Sequence, residues 1–152
     1  VLSQGKLGVP ITNYSLYYTG MSVTSLLILY ILFRIKQFSC DFLFQSNWMA
    51  NNKGNPGREG LLPLLTHAGI HGAGTFVVLM IFSPFFWWLA LLDLCIHAAI
   101  DRIKAVVSRQ AGLKADQHKF WIAFGLDQEA HNFTHLLYII IIFLVSGGLI
   151  VS

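Results

Sequence analysis

The sequence is poor in charged residues. Asp, Glu, Lys and Arg make up only 11% of its 152 residues, whereas 55% are hydrophobic, and a soluble domain ordinarily has about 25% charged residues. So little charge excludes a soluble domain with a polar outer surface, because long runs such as IIIIFLVSGGLIV have no polar face. We therefore expect a membrane protein whose outer surface contacts lipid.

Cysteine is also scarce, and the basic residues are not arranged for nucleic acid. The two cysteines, Cys40 and Cys95, lie inside apolar segments, so the sequence has no spaced disulfide framework. The basic residues stand beside apolar segments and do not alternate with aromatic residues on a binding face. We expect the lipid bilayer as a partner and exclude nucleic acid.

Four apolar segments have close to the roughly 20 residues that cross a bilayer. They cover residues 22–44, 61–82, 85–107 and 120–149. The connectors ANNKGNPGREG, Ser83-Pro84 and SRQAGLKADQHK contain residues that end helices or form turns. The sequence predicts an all-α, polytopic membrane protein, with an N-terminal loop or interfacial segment at 1–21 and an antiparallel bundle of four transmembrane helices at 22–152.

The basic residues predict the orientation of this bundle. The first and third connectors lie on one side and contain Lys53, Arg58, Arg109, Lys114 and Lys119, whereas the other side has only Lys6. By the positive-inside rule the two basic connectors face the cytoplasm, and both termini lie on the outer side. Arg34 and Lys36 do not fit, because they lie past the middle of the first segment. Three explanations are open for this pair: their side chains extend to the membrane surface, they pair with an acidic residue, or they mark a helix that begins late.

Polar residues recur four positions apart in all four segments. The series are Asp41 and Gln45; His67 and His71; Asp93, His97 and Asp101; and Asp127, His131 and His135. This spacing places each series on one helix face. Because consecutive helices alternate in direction, all four series fall in the cytoplasmic half of the bundle.

The helical rise also predicts the depth of each residue. At about 1.5 Å per residue, the series form three layers, with His67, Asp101 and Asp127 nearest the cytoplasm, then His71, His97 and His131, then Asp93 and His135.

Residues around His71 add a packing prediction: Gly69, Gly72 and Gly74 favour close approach of neighbouring helices.

Ionisable residues within membrane helices usually face the bundle interior and mark a site. Imidazole and carboxylate groups without a nearby thiolate suit zinc, manganese or iron, and helix bundles often hold such metals in their interior. The candidate metal ligands are His67, His71, Asp93, His97, Asp101, Asp127, His131 and His135. Among them, His71, His97 and His131 are the first choice, and Asp41 and Gln45 are further members of the polar cluster.

Three interpretations of this cluster stay open. A bound metal would generate a nucleophile from water, which would make the centre hydrolytic. Alternatively, the acids orient the histidines and the network only fixes helix register. A proton or ion path is the third interpretation, although the series end past mid-depth.

Four stretches in order, DFLFQSNWMANNK, LLTHAGIHG, LLDLCIHAAIDRIK and LDQEAHNFTH, resemble the bacterial and phage membrane proteins labelled domain of unknown function 3307. The resemblance covers about residues 41–135. It implies a multi-pass protein of the bacterial inner membrane, with its termini on the periplasmic side by the charge argument above. It also implies the same polar positions, with Gln128 added to the cluster, and no established activity.

Two functions from different classes follow. The first is an integral inner-membrane protein with a buried His/Asp cluster in the cytoplasmic half. This cluster binds a metal ion, and the metal centre can also be hydrolytic. The alternative is a non-catalytic accessory subunit of a larger membrane protein complex, in which the polar cluster is structural and the partners are other membrane subunits.

Overall fold

The computed structural model describes residues 21–147. Nearly all of the N-terminal segment expected at 1–21, and the last residues of the fourth apolar segment, lie outside the described residues. The described chain forms five α-helices: α1 Val23–Phe38, α2 Asn47–Asn52, α3 Gly57–Phe82, α4 Leu89–Gln110 and α5 His118–Val145. A π-helical turn, Ser39–Leu43, continues α1, and a 3-10 turn, Pro84–Phe86, joins α3 to α4. The expected all-α class is confirmed.

The helix boundaries follow local capping and turn chemistry. Ser22 caps α1, because its Oγ accepts a hydrogen bond from the backbone N–H of Ser25 at 3.1 Å. The helix therefore does not begin late, which removes one explanation for Lys36. Helix α4 begins at Leu89, after the expected start at residue 85, because the 3-10 turn that starts at Pro84 comes first. The exposed residue His118, expected in the third connector, is the first residue of α5.

The four longer helices form an antiparallel bundle. Helix α3 packs against α1 and α4, and α5 packs against the same two helices. Antiparallel direction is visible between α3 and α4, where His67 meets His97 and Thr75 meets Asp93. One end of the bundle interior is apolar, and the other end contains the polar series. The apolar end consists of Leu29, Phe33, Val78, Leu79, Phe86, Leu89, Tyr138, Ile139 and Ile142.

Two glycines of α3 allow the neighbouring helices to approach. A Cβ atom at Gly72 would lie 3.1 Å from Leu94 Cβ of α4, and one at Gly74 would lie 3.0 Å from Lys36 Cγ of α1. A side chain at either position would force its neighbour to shift by a few tenths of an ångström, so both positions favour glycine. The packing prediction is confirmed at these two positions and is wrong for Gly69, whose Cβ would have no such neighbour within 4 Å in the described part of the chain.

Two of the helices, α3 and α5, are long and apolar enough to cross a bilayer by length and composition. Helix α1 has 16 residues before its π-helical turn, and α4 contains several charged residues, including Asp93, Asp101 and Arg102. The outward faces of all four helices have large exposed apolar side chains, such as Ile35, Ile81, Ile103 and Leu126. The expected crossing by four helices remains a prediction.

Candidate metal centre

The eight predicted metal ligands all lie in the bundle interior. Each of them has 7% of its surface exposed or less. The structure divides them into two groups: a His/Asp centre near one end of the bundle and a deeper group beside the apolar core. The His/Asp centre contains His67, His71, His97, Asp101, Asp127 and His131, and Asp41 joins it.

The layers predicted from the helical rise are present in this arrangement. In the layer nearest the bundle end, His67 Nε2 lies 3.2 Å from Asp101 Oδ2. One turn deeper, the His97 ring stacks between His71 and His131, with ring centroids 3.5 Å and 3.9 Å apart. The helices therefore present their polar series to one shared interior space.

Asp41 reaches this space from the π-helical turn. Its Oδ1 lies 3.1 Å from His71 Nε2 and 3.3 Å from His67 Nε2. Its Oδ2 accepts hydrogen bonds from the amides of Gln37 and Gln128, both at 2.8 Å. π-Helical turns are rare and often occur at functional sites. This turn presents one carboxylate oxygen to the histidines while the amides hold the other oxygen.

Asp41, His67, His71 and His97 form a set that could hold a metal ion. One ligand atom from each, the three imidazole nitrogens and one carboxylate oxygen, all lie within 4.8 Å of one another. The Nε2 atoms of His67 and His97 lie 3.4 Å apart. A tetrahedral zinc site with bonds of about 2.0–2.1 Å has its ligand atoms roughly 3.3 Å apart. The closest pairs in the set already have this spacing.

A second set that could hold a metal consists of His97, Asp101 and His131 and therefore shares His97 with the first. Lysines already balance the acids in and beside this second set. Lys53 Nζ donates to Asp101 Oδ2 at 2.7 Å, and Lys104 Nζ lies 3.8 Å from Oδ2 of Asp127, which lies beside His131. Within residues 21–147, Asp41 has no lysine or arginine partner. The first set therefore has the negative charge that a cation would neutralise.

The deeper group has a different character. Asp93 Oδ2 accepts hydrogen bonds from Lys36 Nζ at 2.8 Å and from Thr75 Oγ1 at 2.6 Å. His135 Nε2 lies 3.3 Å from the same ammonium group. Of the three explanations for Lys36, the structure shows pairing with an acid. Metal binding by Asp93 and His135 remains a prediction, and the Lys36 ammonium contacts both of these side chains.

Five residues of the site were missed or not assigned from the sequence: Lys36, Gln37, Lys53, Thr75 and Lys104. Spacing could have found two of them, because Gln37 precedes Asp41 by four positions and Thr75 follows His71 by four. Lys53 had no such signal, since it comes from the connector after α2. Gln45 lies at the rim, where its amide donates to the Asp41 carbonyl and its Oε1 accepts from Lys53.

A family model described as "Protein of unknown function (DUF3307)" matches residues 27–151. The matched region includes every residue of the His/Asp centre and of the deeper group, so the resemblance inferred from the four sequence stretches is confirmed. No curated protein and no solved structure gives a significant match to the chain.

Proposed function

The chain belongs to the family of proteins of unknown function DUF3307, and we propose that it is an integral membrane protein that binds a divalent transition-metal ion and uses it for hydrolysis. The observation that carries this proposal is the convergence of the Asp41 carboxylate with the imidazoles of His67, His71 and His97, which bring one ligand atom each within 4.8 Å of one another. Zinc, manganese and iron all suit such a set of imidazole and carboxylate ligands.

Hydrogen bonding alone does not account for the contacts of His67. Its Nε2 lies 3.3 Å from Asp41 Oδ1, 3.2 Å from Asp101 Oδ2 and 3.4 Å from His97 Nε2. A single N–H can point well at only one of these three atoms, and two imidazole lone pairs facing each other repel. A cation between the nitrogens and the carboxylate would use these lone pairs together and balance the charge of Asp41.

The surroundings of Asp41 support a role as a ligand through one oxygen. The amides of Gln37 and Gln128 hold Oδ2, which leaves Oδ1 facing the imidazoles. Hydrogen bonds of this kind orient metal-bound carboxylates and strengthen metal binding. Gln128 also links α5 to the site, so the ligand set is supported by α1, α3, α4 and α5.

His131 supplies the group that hydrolysis needs beside the ligands. A bound divalent metal makes a water molecule nucleophilic near neutral pH. His131 stacks on His97, and its Nε2 makes no hydrogen bond within the described residues. This nitrogen lies 3.6 Å from Asp101 Oδ1, an acid that can stabilise the imidazolium formed when His131 accepts a proton. We assign His131 as the general base.

The four longer helices would cross the bacterial inner membrane, with the α2–α3 and α4–α5 connectors in the cytoplasm. The distribution of polarity supports this: the ionisable side chains of the polar series, such as Asp93, His97 and Asp101, are buried, while large apolar side chains cover the outward faces. A soluble protein has the reverse pattern. Helix α1 and its π-helical turn together approach the roughly 20 residues of a transmembrane helix. Lipid would be the partner of the outward faces.

Metal analysis of the purified full-length chain, prepared without chelators, tests the proposal. We expect one transition-metal ion per chain in the unmodified protein and loss of this metal in His71→Ala and Asp41→Asn. His118→Ala should retain the metal, because this exposed histidine lies outside the centre. Absence of a bound transition metal from the unmodified protein would contradict the proposal and favour the structural interpretation of the cluster.

A further inference from the structure

A cavity lies beside the His/Asp centre at the same end of the bundle. Its volume is about 450 Å³, and its walls come from α2, the α2–α3 connector, α4 and the first turn of α5. Pockets that bind small molecules commonly have volumes of about 300–1,000 Å³. The cavity is therefore large enough for a small ligand and not only for an ion.

The lining of this cavity has charge of one sign. Three basic residues, Lys53, Lys104 and Arg109, line it together with polar residues such as Asn51 and Ser108, and no acidic residue of the described range 21–147 lines it. Arginine and lysine bind phosphate through charge-assisted hydrogen bonds, and hydroxyl and amide groups can donate to its further oxygens. The lining thus offers several donors to a group with several anionic oxygens.

Arg109 is held in position for this role. Its Nη1 donates to the carbonyl of Gly54 at 3.2 Å and to Asn55 Oδ1 at 3.1 Å. Within residues 21–147 no further hydrogen bond of this guanidinium group is formed, so its other N–H groups are available to a ligand. A fixed guanidinium loses less conformational freedom on binding than a mobile one.

Two of the cavity lysines connect it with the His/Asp centre. Lys53 lines the cavity and donates to Asp101, whose Oδ2 lies 3.2 Å from His67 Nε2. Lys104 lines the cavity and lies 3.8 Å from Asp127, whose Oδ1 lies 3.7 Å from His131 Nε2. Asp101 therefore links the cavity residue Lys53 to the proposed ligand His67. In the same way, Asp127 links the cavity residue Lys104 to the proposed base His131.

We propose that this cavity binds the phosphate group of a phosphate-ester substrate. The inference rests on the proposed function for its chemistry: water adds to phosphorus, the ester P–O bond breaks, and a proton reaches the departing alkoxide through His131. The products are an alcohol and inorganic phosphate. The ester is a phosphomonoester, either water-soluble or a lipid phosphomonoester such as phosphatidate, since the cavity lies at the predicted membrane surface.

Basic residues also gather at this end for topological reasons, so the test needs a control of equal charge. Lys114 is exposed in the α4–α5 connector and does not line the cavity. Lys114→Gln removes the same charge from the same end of the protein as Lys104→Gln or Arg109→Gln does. A specific site responds only to the last two substitutions.

Titration calorimetry with inorganic phosphate, on the full chain in detergent after metal removal, measures binding to the cavity. We expect saturable binding that weakens by about tenfold in Arg109→Gln, as for a lost hydrogen bond to a charged group, and comparably in Lys104→Gln. Lys114→Gln should bind as the unmodified protein does. Equal weakening in all three variants, or no saturable binding in the unmodified protein, overturns the inference.

Nanodiscs then distinguish the two sources of phosphate. If phosphatidate in the disc competes with inorganic phosphate while phosphatidylcholine does not, the substrate is a lipid; if only a soluble phosphomonoester competes, it is a water-soluble ester. Both results support the cavity assignment.

Because phosphate is titrated without metal and metal is measured without phosphate, a protein that keeps its metal and binds no phosphate overturns this inference alone. One that binds phosphate and no metal overturns the hydrolytic proposal alone.

Discussion

The Lys36 ammonium lies 2.8 Å from Asp93 Oδ2 in the bundle interior, although the two residues are 57 positions apart. Their side chains are 3% and 2% exposed. Thr75 donates to the same carboxylate oxygen, and His135 lies within 3.3 Å of the ammonium. This arrangement explains how an apolar segment accommodates a lysine, because the protein groups replace the hydrogen bonds that water would make.

Removing one charge of this pair should destabilise the bundle more than removing both. Lys36→Met leaves the Asp93 carboxylate buried without its cation, and we expect a loss of about 3–5 kcal/mol in the free energy of unfolding. Lys36→Met combined with Asp93→Asn should recover part of this loss. Unfolding by denaturant titration in micelles measures both values. The substitution Lys119→Met, at an exposed lysine, serves as the control, and simple additivity of the two single losses would contradict the pairing.

The amide of Gln128 should tune metal binding without contacting the metal. Gln128→Ala leaves Asp41 Oδ2 with one of its two amide donors, so the carboxylate is less well oriented. We expect metal affinity to fall by about 10–100-fold, as measured by competition with a chromophoric chelator. Asn132→Ala is the matched control on the same helix, because Asn132 bonds to the exposed Glu129. Unchanged affinity in Gln128→Ala would argue against Asp41 as a ligand.

Spacing along the sequence predicted which residues share the interior, and at what depth. The layer of His71, His97 and His131 follows directly from the helical rise and the alternating helix direction. Spacing says nothing about how far each helix rotates about its own axis, however. That rotation decides which acid faces which histidine.

Other contacts of the site depend on packing that a sequence pattern does not report. Asp41 faces the histidines because α1 passes into a π-helical turn, for which the sequence has no recognised signal. Lys53 reaches Asp101 because α2 packs against α3 beside the centre, and the connector alone did not predict this. The sequence showed that Lys36 does not fit an apolar segment. Its partner, Asp93, depends on how α1 is placed relative to α4 in the bundle, which a sequence pattern does not report.

Arg102 should hold the α2–α3 connector in place. Its Nη1 donates to the carbonyl groups of Lys53 at 2.9 Å and Asn55 at 2.7 Å. Arg102→Gln removes these bonds, so we expect faster proteolysis within the connector and a loss of about 1.5–3 kcal/mol in the free energy of unfolding. Arg58→Gln, at an exposed residue of the same region, should change neither. Equal cleavage rates for Arg102→Gln and the unmodified protein would contradict this role.

The proposed four-helix crossing predicts which residues a membrane-impermeant thiol reagent reaches from each side. In a Cys95→Ser background, Arg58→Cys lies in the first turn of α3, next to the α2–α3 connector, Asp116→Cys lies in the α4–α5 connector, and Phe85→Cys lies in the turn between α3 and α4. Both connectors are assigned to the cytoplasm. All three native residues are exposed, whereas Cys40 is buried and should stay unlabelled. We expect Phe85→Cys to react in right-side-out vesicles and the other two in inside-out vesicles. Helices α3 and α4 are antiparallel, so both connectors lie at the opposite end of the bundle from Phe85. Labelling of all three introduced cysteines from one side would therefore exclude a transmembrane orientation of this bundle.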